Sequence, residues 1–400
     1  MTARGLPLIL TMLALPALSA CGGSRPDAPP PLAPAALAAV AEDPGVGRQR
    51  LARAIDDLFA DESAGQTRSL LIMRGGRIVA ERHGEGFGKD TRQIGWSMTK
   101  CVTGVMIGML VSDGRLRLDE TAPVPAWQRS GDPRGEITVR QLLQMRSGLR
   151  HTESGKPAYR SDEARMLFLD GRDDMAAYAE AQPLEAEPGR RFEYSSASSV
   201  ILADLAARSL TESADPAIRR KAVSDYLHTR FLDPAGMKTM TAEFDAAGTF
   251  IGSSMLHGTA RDWGRLGEFL RNYGSVRGAQ LVPRGWIEFM RRPSPRNPAY
   301  GAQVWLNRPG PDDAAVLFPG KAPADVFACV GHLGQYVVVS PGQRLTLVRL
   351  GHSDEKQRVA VRDHLARLLA PFPKGQRATA RGACRSSRGA TCDSTKRSTP

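Results

Sequence analysis

Segments of strand character stand near the two ends of this chain, and helical ones fill the long interval between. Ser69–Met73 and Arg77–Glu81 are β-rich and flank Arg74-Gly75-Gly76, which reads as strand, glycine turn, strand. Strand character returns late, at Gly301–Leu306, Val326–Val330, Gln335–Ser340 and Leu345–Leu350, with Pro341-Gly342-Gln343 as a turn between the last two. Strands so far apart share one core only if both chain ends enter one sheet and the middle is a helical insert. The expected class is α+β: an antiparallel sheet built from both chain ends with flanking helices, plus a mostly helical lobe at about residues 97–290. A cleft between two such lobes is where a site is expected.

The helical signals are local. Leu51, Ala54, Ile55, Leu58 and Phe59 fall at helical spacing. Ile137–Leu143 runs to a stop at Ser147-Gly148, and Ser196–Leu210 has an apolar face through Val200, Ile201, Leu205 and Leu210. Thr259-Ala260-Arg261-Asp262 is a capping-box start, Pro283 opens another helix, and Ser353–Leu369 reads as the last one.

Both termini read as something other than packed fold. Arg4 precedes an apolar stretch from Leu6 to Leu18 that is too short to span a bilayer, followed by Ser19-Ala20-Cys21-Gly22. Small residues before a cysteine resemble a bacterial lipoprotein signal, with Cys21 the lipidated residue and residues 1–20 removed. Residues 21–46, rich in Pro and Ala, read as a tether. The expected setting is the exported face of a bacterial envelope, the periplasmic side, where disulfides persist. Apart from Cys21 there are Cys101, Cys329, Cys384 and Cys392, and their spacing allows three pairings. The formal net charge is +12, and residues 373–400 hold seven cations against Asp393. Residues 372–400 therefore read as a basic disordered tail, leaving 47–371 as the folded domain. No stripe of interleaved aromatics and cations points to nucleic acid as a partner.

One stretch carries chemistry. Ser97 and Lys100 open the apolar run Cys101–Leu110. On a helix, residues three apart share a face with Cβ atoms roughly 5–6 Å apart. A lysine at the head of a buried helix can lose its proton through desolvation, and a neutral amine beside a hydroxyl makes serine nucleophilic without histidine. The same pattern recurs at Ser353-Asp354-Glu355-Lys356, where a helix N-cap, first-turn acids and a surface lysine explain it structurally. No Gly-x-Ser-x-Gly, His-Glu-x-x-His or Cys-x-x-Cys occurs, so neither a nucleophile elbow nor a metal site is expected, and no cofactor.

Two further stretches would complete a Ser/Lys site. Tyr194 lies at a turn before a helix, where its phenol can move a proton. Gly331-His332-Leu333-Gly334-Gln335 heads a late strand whose backbone N–H groups can stabilise an oxyanion, each worth roughly 3 kcal/mol. Together, in this order, these residues resemble the serine β-lactamase and penicillin-binding-protein superfamily over about residues 50–370. The likeness is to its class C-like branch, which includes family VIII esterases and 6-aminohexanoate-dimer hydrolases. Tyr194-Ser195-Ser196 stands at the family's Tyr-x-Asn place and His332-Leu333-Gly334 at its Lys-Thr-Gly place. Ile137–Leu149, Leu232–Met237 and Ser254–Met290 support the likeness, and Gly331–His352 looks most like the aminohexanoate-hydrolase side.

The resemblance implies a β-lactamase/transpeptidase-like fold, Ser97 as the acylated nucleophile, Lys100 as its proton acceptor and Tyr194 as a second acid/base. It also implies an oxyanion hole from the N–H groups of Ser97 and Gln335, with Gly334, His332 and Ser196 lining the substrate. Ser196 in place of Asn and His332 in place of Lys shift the expected substrate from β-lactams or D-alanyl-D-alanine peptides to small-molecule esters or small amides. A surface binding module on the same scaffold would not need Ser97, Lys100 and Tyr194 together.

Overall fold

The computed structural model describes Met1, residues 31–311 and residues 315–374. The rest of the expected signal segment, Cys21 and the tail with Cys384 and Cys392 lie outside the described residues. The strands are β1 (Gln66–Arg74), β2 (Arg77–His83), β3 (Gln93–Ile94), β4 (Thr241–Ala242), β5 (Leu256–Gly258), β6 (Ser275–Val276), β7 (Ala279–Gln280), β8 (Trp305–Leu306), β9 (Phe327–Gly331), β10 (Gln335–Ser340) and β11 (Leu345–His352). The main sheet has the order β2-β1-β11-β10-β9-β8. Its pairs are antiparallel, and β1 joins β11 with Leu71 opposite Val348. The two chain ends thus meet in the middle of one sheet, which is the α+β class the strand distribution requires.

Both faces of that sheet are covered, and side chains alternate between them. Leu70, Ile72, Val338 and Leu347 pack with helices α2 (Arg48–Ala60) and α11 (Gln357–Leu369), through Leu51, Ile55, Leu58, Val361 and Leu365. Leu71, Met73, Val337 and Val348 face the other way, into a larger core with α3 (Thr99–Ser112), α7 (Ser196–Leu210) and α9 (Ala260–Arg271). Helix α9 lies close on the sheet because it has glycine at the contacts. A Cβ on Gly264 would stand 2.5 Å from Leu71 Cδ2, and one on Gly267 2.3 Å from Thr346 Cγ2. Thr259 caps α9 in the expected box with Asp262.

Three expectations change. The last part of the tether is folded: Pro34–Ala38 is a short helix, and Ala41 N–H donates to Val79 O while Glu81 N–H donates to Ala39 O. The Gly301–Leu306 strand shrinks to β8, because Gly301 N–H turns onto Val304 O and Gln303 takes φ +64°. The last helix starts at Gln357, not Ser353, since Asp354 and Gln357 cap each other while Ser353 is drawn into the core.

Candidate active site

Strand β3 delivers the chain to Gly95 and then into a tight turn, Trp96–Met98, that feeds α3. Gly95 is required here: a Cβ would stand 2.3 Å from Trp263 Cζ2. Trp96 takes φ +47°, a costly conformation for a bulky residue, and it presents Ser97 half-buried at the head of the helix. Every residue from Thr99 to Leu110 is buried, so Lys100, 1% exposed, lies beneath a solvent-reachable serine.

Lys100 Nζ donates to Ser97 Oγ at 3.0 Å, to Ser196 Oγ at 2.8 Å and to the Ser253 carbonyl at 3.1 Å. Three acceptors for three N–H donors suit an ammonium group. Glu153 adds charge: its Oε1 lies 3.9 Å from Nζ. Desolvation lowers the Lys100 pKa, but Tyr194, Glu153 and Glu163 around it outweigh that and hold it above the ordinary lysine value. This runs against the expectation of a lysine neutralised by burial: the burial is there, but Tyr194, Glu153 and Glu163 together oppose it.

Glu153 is itself tightly held. It accepts from Ser196 N–H at 2.9 Å and from Ser196 Oγ–H at 2.8 Å, and His151 Nε2 lies 2.7 Å from it. Burial pushes the carboxyl up, but Lys100, His151 and the Ser196 N–H outweigh that and bring it to about 2. Glu163, alongside, is pushed up to about 7 by burial and by the Glu153 charge. Ser196 therefore bridges Lys100 and Glu153 from beneath, with no exposed surface of its own. His151, Glu153 and Glu163 bring their ligand atoms within 4.8 Å of one another, as a divalent-ion site would. The cation this cluster already faces is the Lys100 ammonium, and Glu153 has its oxygens committed to Ser196 and His151.

Tyr194 precedes α7, whose N-cap is Ser195, accepting from Ser198 N–H. Its ring stacks on Trp305 with centroids 5.3 Å apart and meets Tyr300 edge-on at 5.8 Å. Lys100 Nζ stands 5.0 Å from the ring centroid. Burial raises the phenol pKa, and the Lys100 charge with hydrogen bonds to Ser97 and Lys100 pulls against that rise. Ser97, Lys100, Tyr194 and Ser196, spread over 100 residues of sequence, thus form one cluster.

The Gly331–Gln335 stretch lies between the two strands expected at Val326–Val330 and Gln335–Ser340. His332–Gly334 is a turn joining β9 to β10, with Leu333 at φ +58° and Gly334 at φ +81°. Gly331 makes the close approach to the serine turn: a Cβ there would stand 2.2 Å from Gly95 O. Gln335 is its register partner across the β9–β10 pair. The Gln335 side chain is turned inward, donating to Gly351 O at 2.7 Å and accepting from Gly351 N–H at 2.9 Å. Gly334 O accepts from Arg349 Nη1 at 2.9 Å. The His332 ring meets Trp96 edge-on at 5.5 Å, and burial, with Arg358 and His352 nearby, lowers its pKa. A neutral imidazole at neutral pH is a poor partner for a substrate carboxylate.

A disulfide joins Cys101 to Cys329. It ties the residue after Lys100 to the strand that ends at Gly331, so the helix that carries Lys100 and the Gly331–Gln335 backbone are covalently linked. His151, Glu153, Glu163, Ser253 and Trp305 had no motif to announce them. Glu153 lies in a loop after Leu149 and Glu163 in the first turn of the short helix Asp162–Phe168, and only tertiary contact brings them beside Lys100.

Comparison with known proteins agrees with this arrangement. The Beta-lactamase family model matches residues 54–371, and the chain belongs to that family. A 6-aminohexanoate-dimer hydrolase from Paenarthrobacter ureafaciens is 27% identical over 256 residues, and the match spans 62% of this chain and 62% of the length of that curated relative. Among solved structures, a Bacillus anthracis protein provisionally named 6-aminohexanoate-dimer hydrolase superposes with a TM-score of 0.63 at 20% identity, covering 80% of this chain and 83% of the other. A family VIII carboxylesterase matches with a TM-score of 0.57 at 16% identity, covering 80% and 97%. A penicillin-binding-protein homologue from Caulobacter crescentus gives 0.57 at 18% identity, covering 82% and 97%. These likenesses establish the fold.

Proposed function

We propose that this protein is a serine hydrolase that cleaves esters or small amides through an acyl-enzyme on Ser97. The observation that carries the reading is the Ser97 hydroxyl 3.0 Å from a buried Lys100 amine, with the Tyr194 phenol facing both. Ser97 Oγ attacks the substrate carbonyl carbon in the form of the enzyme whose Tyr194–Lys100 pair is one proton short, and the Ser97 proton refills that pair. The carbonyl oxygen becomes an oxyanion held by Ser97 N–H and by backbone of the Gly331–Gln335 turn. Collapse expels the alcohol or amine, which takes the proton back. Water then repeats the cycle on the acyl-serine and releases the acid.

Two features favour esters and small amides over β-lactams. Ser196 is occupied by Lys100 and Glu153 rather than facing a substrate amide, and His332 offers no lasting positive charge. The names of the relatives, a 6-aminohexanoate-dimer hydrolase and a family VIII carboxylesterase, point the same way. The reading includes export and anchoring through Cys21 at the periplasmic face of the envelope, and the Cys101–Cys329 disulfide supports an oxidising compartment.

The test is a fluorophosphonate probe followed by peptide mass spectrometry, run beside p-nitrophenyl ester, short linear amide and chromogenic cephalosporin substrates. The expected result is an adduct on Ser97 and turnover of the ester or amide. Cephalosporin turnover far above both would replace the substrate class with β-lactams. Absence of any Ser97 adduct would leave a binding module.

A further inference from the structure

A second feature lies at the far end of the sheet from Ser97. Strand β10 starts beside the site at Gln335 and ends at Ser340, roughly 17 Å away at about 3.3 Å per residue. There the β10–β11 turn meets the β1–β2 turn, with Gly75 N–H donating to Arg344 O at 2.8 Å. Segment 43–45 joins them through Arg74 Nη1 on Gly45 O at 2.8 Å. The end of α11 joins through Gln343 Nε2, which donates to the carbonyls of Leu369 and Phe372. Between these pieces is a cleft of about 370 Å³ with Asp43, Arg74, Arg77, Gln343 and Arg344 on its walls.

The charge there is unbalanced. Arg77 and Arg344 are exposed, and among the described residues neither makes an ion pair. The nearby carboxylates offset only part of this charge: Asp43, which accepts from Gly45 N–H at 2.9 Å, and Asp325, which accepts from Gly342 N–H at 2.7 Å. Lys374 follows Phe372, and the sequence beyond it adds Arg377, Arg381, Arg385, Arg388, Lys396 and Arg397 against Asp393. The Phe372 ring packs under the Arg74 guanidinium, 5.7 Å from its centroid, so this basic sequence departs from the same pole as the arginine cleft. Arg74, Arg77 and Arg344 outnumber Asp43 and Asp325, and like charges in excess repel one another unless an external anion meets them.

We infer that this pole docks on an anionic phospholipid surface, with Arg74, Arg77, Arg344 and Lys374 meeting headgroup phosphates. Each cation at such a surface favours binding, and several together add up. The consequence is orientation. The stretch between Cys21 and the Pro34–Ala38 helix can span up to about 3.3–3.6 Å per residue, so attachment at Cys21 does not by itself choose the face that meets a membrane. The basic pole selects one face, and the Ser97 end of the sheet then points away from the bilayer, toward soluble substrate. The biological setting rests on the reading of Cys21 as a lipid anchor. The electrostatic contact does not, so the two can fail separately.

The experiment uses the full chain carrying Cys21→Ser, which removes the acylation site. Sedimentation with phosphatidylcholine vesicles registers whatever the apolar N-terminal run contributes. Vesicles that also contain phosphatidylglycerol register the charge. We expect tighter binding to the anionic vesicles, weakened by salt, and a loss of at least about tenfold in the double variant Arg77→Glu/Arg344→Glu. Ester turnover and melting temperature should not change in that variant, since both side chains are exposed and remote from Ser97. Equal binding of the parent to both vesicle types overturns the inference. So does anionic binding that the double variant retains in full, which would assign it to the sequence after Lys374 alone. Displacement from the vesicles by inorganic phosphate, far beyond chloride at matched ionic strength, would replace the lipid surface with a free-phosphate site. Tighter capture of an RNA oligonucleotide, lost in the same variant, would replace it with nucleic acid. Lack of lipid on Cys21 in the unsubstituted chain would remove the anchor and leave the vesicle result standing.

Discussion

Ser97-x-x-Lys100 and Ser353-x-x-Lys356 are one sequence pattern in two surroundings. At the first, the serine is half-buried and reachable, and the lysine is buried with its three donors satisfied. At the second the exposures are reversed. Ser353 is fully buried, donates to Ala64 O at 2.5 Å and accepts from Arg349 Nη2 at 2.8 Å, while Lys356 is exposed. The Ser353 hydroxyl helps satisfy a buried guanidinium whose pKa desolvation brings down to about 10. A reactive pair needs the nucleophile outside and the ammonium inside. The opposite arrangement makes a structural hydroxyl and a solvated cation.

The comparison breaks most decisively at the serines. Ser97→Ala should cut p-nitrophenyl ester turnover by about 10³-fold or more, with little change in melting temperature. Ser353→Ala should leave turnover within about twofold but cost about 1–3 kcal/mol of stability, because Arg349 loses a buried partner. Urea unfolding and steady-state kinetics on both variants check this. If Ser353→Ala matches the turnover loss of Ser97→Ala, the two surroundings have been misassigned.

The lysines come next. Lys100→Ala should approach the Ser97→Ala loss in kcat, about two to three orders of magnitude, and Lys356→Ala should be within about twofold of the parent by the same assay, as an exposed charge with no partner. Equal losses at both would show that burial is not what separates the two copies.

The smallest effect sharpens the account of Lys100. Glu153→Gln removes the carboxylate that helps hold the ammonium proton, so the rising limb of the pH–rate profile should move to lower pH, by about one unit. Stability has its own sign. The folded Glu153 carboxyl titrates at about 2, below its ordinary value of 4.5. Its contribution is present above about 4.5 and is lost as pH falls towards 2. Unfolding at pH 3 and pH 6 should therefore differ less in Glu153→Gln than in the parent from this group. An unmoved pH–rate profile in the variant would mean that other groups set the Lys100 proton.

Much of the fold was legible because strand and helix signals are local. The β-rich ends could satisfy their edges only by pairing with each other, and β1 opposite β11 is that pairing. The glycine turns at Gly75 and Gly76, the Thr259 cap and the Pro283 helix start lay close to where turn and capping chemistry put them. The end of the tether and the start of α11 were misjudged, since packing on β2 and the Asp354–Gln357 cap override composition there. In the site, Ser97 and Lys100 were visible because three-residue spacing on a helix fixes their contact. The cluster of Glu153, Glu163 and His151 was not, because it joins a loop and a short helix to a lysine about 50 residues earlier, a contact that no local period records.

The sequence alone determined the order of strands and helices, the apolar helix behind Ser97 and the identities of the groups able to react. Tertiary structure decided which of two identical motifs faces solvent and where Tyr194 and Ser196 stand. It also decided which charges stand around Lys100 and hold its pKa up against burial. The physical reason is that a proton's position depends on burial and on charges within a few ångströms, and those neighbours come from segments that only folding brings together.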